Sequence, residues 1–259
     1  MAEFAPQYNL FKIVNRLSSI GQFTFWLVLI LSISPVLFKE FCDKYTLLHF
    51  INIVNIIGIS IYFILDIINN YILKPQADSK RRDDFIDNSF GSLFSASSSV
   101  GYYDNDEINK GVYKVAVNLF ENCFFSYSLV RAITTRKIII PSIILLVMII
   151  ISYYGFSQVP FALTILQALF SANILGLLVK HLILINRLST IQDSWVSLFQ
   201  NEDIKEQPMK YQSSIFRYWL QYETLQSKIN IGIPDTFFKK HNPVLTREWE
   251  ELKTKFNIS

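Results

Sequence analysis

Three aspartates, Asp83, Asp84 and Asp87, spell D-D-x-x-D, which a helix would set on successive turns of one side. Carboxylates so paired can hold magnesium against a diphosphate, the chemistry of an integral-membrane prenyl- or lipid-diphosphate enzyme. Such an enzyme needs a second acidic cluster, and Asp104, Asp106 and Glu107 are spaced differently. A simpler role is ion pairing with Lys80, Arg81 and Arg82 along a solvated helix. The same stretch, 80–114, also holds a small-residue run (SASSS, 95–99), a Tyr102–Tyr103 pair and Lys110. Arginine forks, hydroxyls and helix-start amides bind phosphate, and aromatic rings stack on bases. Lys80, Arg81, Arg82, Tyr102, Tyr103 and Lys110 are therefore the candidate ligand-binding residues. The alternative is that these cations only mark the cytoplasmic side and lie along anionic headgroups. His49, His181 and His241 share no metal-ligand spacing, and no P-loop, Gly-x-Ser-x-Gly or Gly-x-Gly-x-x-Gly occurs. No catalytic residue, metal or cofactor is expected.

The elements that must position these residues are apolar. Hydrophobic residues make up 51% of the 259 and charged ones 17%, against about 25% charged in soluble domains. Four runs, 20–38, 47–67, 138–156 and 159–180, read as transmembrane helices. About 20 residues at ~1.5 Å each match a hydrocarbon core of ~30 Å. Short connections pair them into two hairpins. The first run exceeds the ~7–15 residues of a signal peptide's apolar core and lacks a small-residue cleavage site, so it reads as a retained anchor.

Lys and Arg near the span ends set the orientation. Lys12 and Arg16, Lys74 and 80–82, Arg131, Arg136 and Lys137, then Lys180 and Arg187 all fall on one side. Both termini, a loop and a tail are thus expected in the cytoplasm of a multi-pass membrane protein. Cys42 and Cys123 then lie on opposite sides, and no disulfide is expected. The fold class is an all-α membrane protein. Its first region is 1–185, with four spans and a helical cytoplasmic loop over 74–137; its second is a helical cytoplasmic tail, 186–259.

The loop reads as a helix over 106–135, with Val112, Val115, Leu119 and Cys123 on one stripe. Heptad-like stripes follow in the tail: Ile215, Tyr218, Tyr222, Leu225 and Ile229, then Leu245, Trp249, Leu252 and Phe256. These stripes are either ordinary core or an oligomer contact. An interfacial helix up to Ile20 is also expected. Within the spans, Asn52, Asn55, Tyr62, Asp66 and Asn69 share a face of the second run; Thr164, Gln167, Ser171 and His181 share one of the fourth. Polar groups in hydrocarbon need protein or water beside them. Asn52, Asn55, Asp66, Thr164, Gln167 and Ser171 are therefore candidate pore-lining residues; the alternative is hydrogen bonding between helices.

Two hairpins, a loop opening R-R-D-D-x-I-D-N-x-F-G at 81–91, and N-L-F-E-N-C-F-F at 118–125 resemble the bacterial SMODS-associated four-transmembrane-helix effectors. These act in nucleotide-signalling antiphage defence of the CBASS-like or Hailong type. The resemblance implies a homo-oligomeric pore, expected as a tetramer in the lipid of the bacterial inner membrane. A nucleotide or oligonucleotide made by a neighbouring nucleotidyltransferase would open it or hold it shut, and depolarisation and growth arrest would follow. Besides the diphosphate enzyme, the remaining alternative is a membrane anchor for a cytoplasmic partner.

Overall fold

The computed structural model describes residues 5–37, 45–100, 105–154, 175–229 and 233–258. Among them every regular element is helical and no strand forms. Most of the expected span 159–180, with Thr164, Gln167 and Ser171, lies outside the described residues, as do Cys42, Tyr102, Tyr103 and Asp104.

The first apolar run lies in α1 (Tyr8–Leu37), which also absorbs the expected interfacial segment into one helix. The second forms α2 (Tyr45–Ile67). Instead of stopping at the polar stretch, the chain continues through a π-helical segment, Ile68–Leu73, into α3 (Lys74–Phe90). Pro75 gives a physical reason for the widened turn, because its ring lacks an N–H and would crowd the carbonyl four residues back, that of Tyr71. Gly91, at φ 77, ends α3 by sending its N–H back to the Asp87 carbonyl (2.8 Å), a left-handed cap that L side chains adopt poorly.

The expected loop helix and third span form one helix, α4 (Val112–Tyr154), with Pro141 inside it. It begins later than residue 106 because Gly111 takes φ 142 and residues 105–108 form a turn. Next come α5 (Leu175–Phe199), two short 3-10 turns, α6 (Gln212–Lys228) and α7 (Asp235–Lys255).

The chain divides into two compact units. One comprises Lys12–Lys74 and Thr135–Lys180; the other comprises Met1–Phe11, Pro75–Thr134 and His181–Ser259. Loop and tail therefore share a unit, whereas the linear reading divided them at 185/186. Their shared core supplies the reason. Phe120 of α4 stacks on Phe199 of α5 (centroids 5.0 Å apart) and meets Trp249 of α7 edge-on at 5.3 Å. The tail stripes bury Ile215, Tyr222, Leu225, Leu245 and Trp249 in this core, alongside Val115, Leu119 and Cys123 of the α4 stripe. Burial, with Asp193 adding to it, pushes the Cys123 thiol well above its ordinary range.

The first unit buries much less of its apolar surface. Two helices, Tyr8–Ser32 and Thr46–Phe90, are long and apolar enough to cross a membrane, with little of the first apolar window and none of the second buried. Phe23, Ile30, Phe50, Ile56 and Phe63 are each more than 60% exposed. On α4, Ile139, Ile140, Ile143, Leu146, Ile149 and Ile150 are exposed as well.

A continuous antiparallel seam joins α1 to α2. Asn55 Nδ2 donates to Ser32 Oγ (2.8 Å), Tyr62 faces Phe25 (centroids 6.2 Å) and Asn69 Nδ2 donates to Ser18 Oγ (3.3 Å). Between them, a Cβ added at Gly58 would come within 2.7 Å of the Val28 side chain. Small residues and paired polar groups let helix backbones approach in this way.

Trp249→Ala should destabilise the loop–tail unit by about 3–5 kcal/mol, read as a lower thermal unfolding midpoint. Gly58→Leu should overpack the seam at about 1–3 kcal/mol and lower the yield of a disulfide engineered at Ser32→Cys with Asn55→Cys.

Candidate functional site

The end of α3, residues 91–100 and the start of α4 place the sequence's unusual polar residues together. Asp84 and Asp87, one turn apart on α3, are both buried. Asp87 Oδ1 accepts from Ser92 Oγ (2.8 Å) and the Phe94 amide (2.8 Å), and its Oδ2 accepts from the Ser95 amide (2.6 Å). Asp84 Oδ1 accepts from the Ser99 amide (2.8 Å). Two carboxylates thus fasten the Ser-rich run at both ends, which explains why small residues follow the D-D-x-x-D.

The two carboxylates differ in their acidity. For Asp87, burial pushes the pKa up, but the amides of Phe94 and Ser95 and the hydroxyls of Ser92 and Ser95 together hold it below the ordinary range. For Asp84, burial dominates and raises the pKa; the Ser99 bonds offset this in part, and the Asp87 charge adds to the rise.

Against this clamp sits a second buried network. Asn105 Nδ2 donates to Asn118 Oδ1 (2.9 Å) and to Glu121 Oε2 (2.6 Å), while Asn118 Nδ2 donates to Asn88 Oδ1 (2.9 Å) and approaches Ser89 Oγ (3.2 Å). The Gly111 amide donates to the Ser89 carbonyl at 2.9 Å. The stretches 81–91 and 118–125, which carry the family resemblance, therefore meet side chain to side chain. Asn88, Asn118 and Glu121 belong to those quoted stretches but were given no site role from sequence, and Ser89 and Asn105 were not singled out. Their signal was present in Lys114, Asn118 and Glu121, polar residues spaced by four and three on α4 that are all buried beside its apolar stripe.

The clamp bears directly on the D-D-x-x-D reading. Three of the four oxygens of Asp84 and Asp87 already accept from chain donors. Donors so placed set positive partial charge where a divalent ion would have to sit. No group of three or more His, Cys, Asp or Glu fit to hold a metal occurs among the described residues.

The candidate ligand residues are dispersed. Arg81 Nη2 pairs with Glu223 Oε2 of α6 at 2.6 Å, both side chains largely buried, and so ties α3 to the tail. Lys80 and Lys110 are exposed and Arg82 half-buried, while Tyr102 and Tyr103 lie outside the described residues. The Lys110 side chain passes beside Gly91, filling the space a Cβ there would need. Within the stretch 92–95 that Asp87 holds, the side chains of Leu93 and Phe94 are 93% and 67% exposed.

Of the candidate pore residues, Asn55 is held in the α1–α2 seam. Asn52 is exposed, and the exposed Asp66 accepts from Asn70 Nδ2 at 2.7 Å. His181 is buried with Nε2 2.8 Å from Thr134 Oγ1. That hydroxyl also donates to the Val130 carbonyl (2.7 Å).

Compared with protein-family models, curated proteins and solved structures, the chain matches none.

Asp87→Asn removes the charge that holds the Phe94 and Ser95 amides. Chymotrypsin cleavage at Leu93 and Phe94 should accelerate about tenfold or more, a factor of ten for each ~1.4 kcal/mol of anchoring lost. With its folded pKa depressed, Asp87 contributes stability above the ordinary carboxylate value of ~3.9 and loses it as pH falls through the folded value. Asp84 acts oppositely, favouring the fold while protonated and losing that contribution as pH rises through its raised value. Wild-type protection at Phe94, followed by proteolysis with an acid-active protease, should therefore persist below pH ~3.9 before it fails.

Proposed function

We propose that this chain is an oligomeric, four-span membrane pore whose opening is controlled by a nucleotide or oligonucleotide bound by its loop–tail unit, acting in bacterial antiphage defence. The observation that carries this reading is the division of the chain. One unit exposes apolar helical surface, while the other buries a dense polar network under the only strongly basic stretch of the loop. An apolar helical exterior is stable against lipid, and the exposed isoleucines on α4 extend it beyond the two helices that meet the span criteria. The second hairpin partner, 159–180, and the cytoplasmic placement of both termini belong to the same reading.

Lys80, Arg82 and Lys110, with Tyr102 and Tyr103, are the proposed phosphate and base contacts. Arg81 is assigned a supporting role, since its charge is already met by Glu223. Asn52 and Asp66 of α2, with Thr164, Gln167 and Ser171, are the proposed path, and Asn55 holds the seam that positions it. The carboxylates of Asp84 and Asp87 support this reading over a diphosphate enzyme because they serve as loop anchors.

Reconstituted in liposomes, the protein should pass ions. A panel of cyclic di- and trinucleotides and short linear oligonucleotides should contain one that changes the flux. Arg82→Ala with Lys110→Ala should weaken that effect tenfold or more in apparent affinity and leave the oligomer intact by size-exclusion chromatography. An absence of ion flux, together with normal growth on overexpression, would rule the pore out. Flux that no member of the panel alters would rule out the sensor.

A further inference from the structure

We propose that the π-helical segment Ile68–Leu73 is a register switch that interconverts with ordinary α-helix by expelling or readmitting one surplus residue. It is the one π stretch among the described residues, and it lies where the apolar helix gives way to the polar one. The boundary between the two units falls next to it, between Lys74 and Pro75.

Its hydrogen bonding shows the extra residue directly, since the Lys74 N–H reaches the Asn69 carbonyl, five residues back. A π segment is an α-helix holding one surplus residue. Expelling or readmitting that surplus changes the register by ~1.5 Å and about 100°. Elsewhere this would cost a full turn of hydrogen bonds. Here the Pro75 ring would crowd the Tyr71 carbonyl in the α form, which offsets part of what the widened turn costs and brings the two forms closer in free energy.

Both flanks are fastened, and to different partners. Upstream, α2 is held to α1 by Asn55–Ser32, the Gly58–Val28 approach and Asn69–Ser18. Downstream, α3 is held by Arg81–Glu223 and by the Asp84 and Asp87 anchors. A rearrangement of α3 on its partners must be taken up between these flanks. The segment offers little resistance, because Asn70, Tyr71 and Ile72 point outward and are exposed. Asn69 couples the two sides, since its backbone carbonyl accepts the π bond while its amide makes the longest bond of the seam, at 3.3 Å. As the link from ligand to conductance, the switch rests on the pore reading; as a property of the helix, it stands apart from it.

A spin label on Ile72→Cys, in protein lacking the two native cysteines, reports the segment. Two mobility components are expected in otherwise wild-type protein. Pro75→Ala, which removes the crowding of the α form, should shift their ratio about fivefold or more toward the component that remains when Tyr71 is deleted. Deleting Tyr71 should remove the surplus residue, leave a single component and preserve expression and the seam disulfide between Ser32→Cys and Asn55→Cys. Deleting Ile61 from α2, where there is no surplus, should abolish that disulfide. A single component that Pro75→Ala leaves unchanged, or a Tyr71 deletion as damaging as the Ile61 deletion, would overturn the switch. If the spectra shift as expected while liposome flux is the same in wild type and Tyr71 deletion, the switch holds and its role in gating fails.

Discussion

A polar group taken out of water must find its partner within the chain, and the cost of leaving it unpaired exceeds the net gain of most single contacts. Both units are organised by that constraint. In the loop–tail unit, Asn118 is wholly buried, and its amide can be satisfied only if α3, the turn at Asn105 and α4 meet at one point. Asp87 imposes the same condition on residues 92–95. In the apolar unit, Asn55 and Asn69 allow α2 one orientation on α1, and Gly58 lets the backbones close upon it. Apolar burial supplies most of the stabilisation in the core around Phe120 and Trp249. The polar groups select the register, because a slipped helix would keep much of its burial while orphaning an amide.

The polar positions therefore divide according to what surrounds them. Arg81 illustrates the division. An arginine in a basic cluster suggests a phosphate contact, but its Nη2 is paired with Glu223 Oε2 at 2.6 Å, and removing either partner would break a largely buried ion pair. Arg82, next in sequence, is half-buried on another face of α3. Asp83 and Asp84 divide in the same way, the first half-buried and the second enclosed with Ser99. Adjacent residues of one type take different roles because a helix turns about 100° per residue and carries neighbours onto different faces.

Much of the fold was legible in the sequence. The apolar runs lie in helices over their described residues 20–37, 47–67 and 138–154, the stripes of α4, α6 and α7 become core, and every regular element described is helical. Periodicity determines these because helix formation and amphipathic burial are local properties of spacing. Polar residues on one face of the second run were legible as well, but their destination was not. Asn55 and Asn69 serve an interhelical seam, a choice that depends on where Ser32 and Ser18 fall on the opposing helix.

What the sequence determined by itself, then, is helical content, apolar length and the faces on which polar residues collect, since each follows from residues within a few turns of one another. Tertiary structure alone decided the grouping of loop with tail, the meeting of 81–91 with 118–125, and the use of Asp84 and Asp87 as anchors. Asn118 lies 30 residues from Asn88, and Arg81 lies 142 from Glu223. Contacts so distant follow from how whole helices pack, which no local pattern contains. The helix bounds show the same limit, because α1 and α4 run through positions where composition changes abruptly. An α-helix already under way adds a residue for one hydrogen bond at little cost, so it ends where a glycine such as Gly91 turns the backbone and not where the side chains become polar.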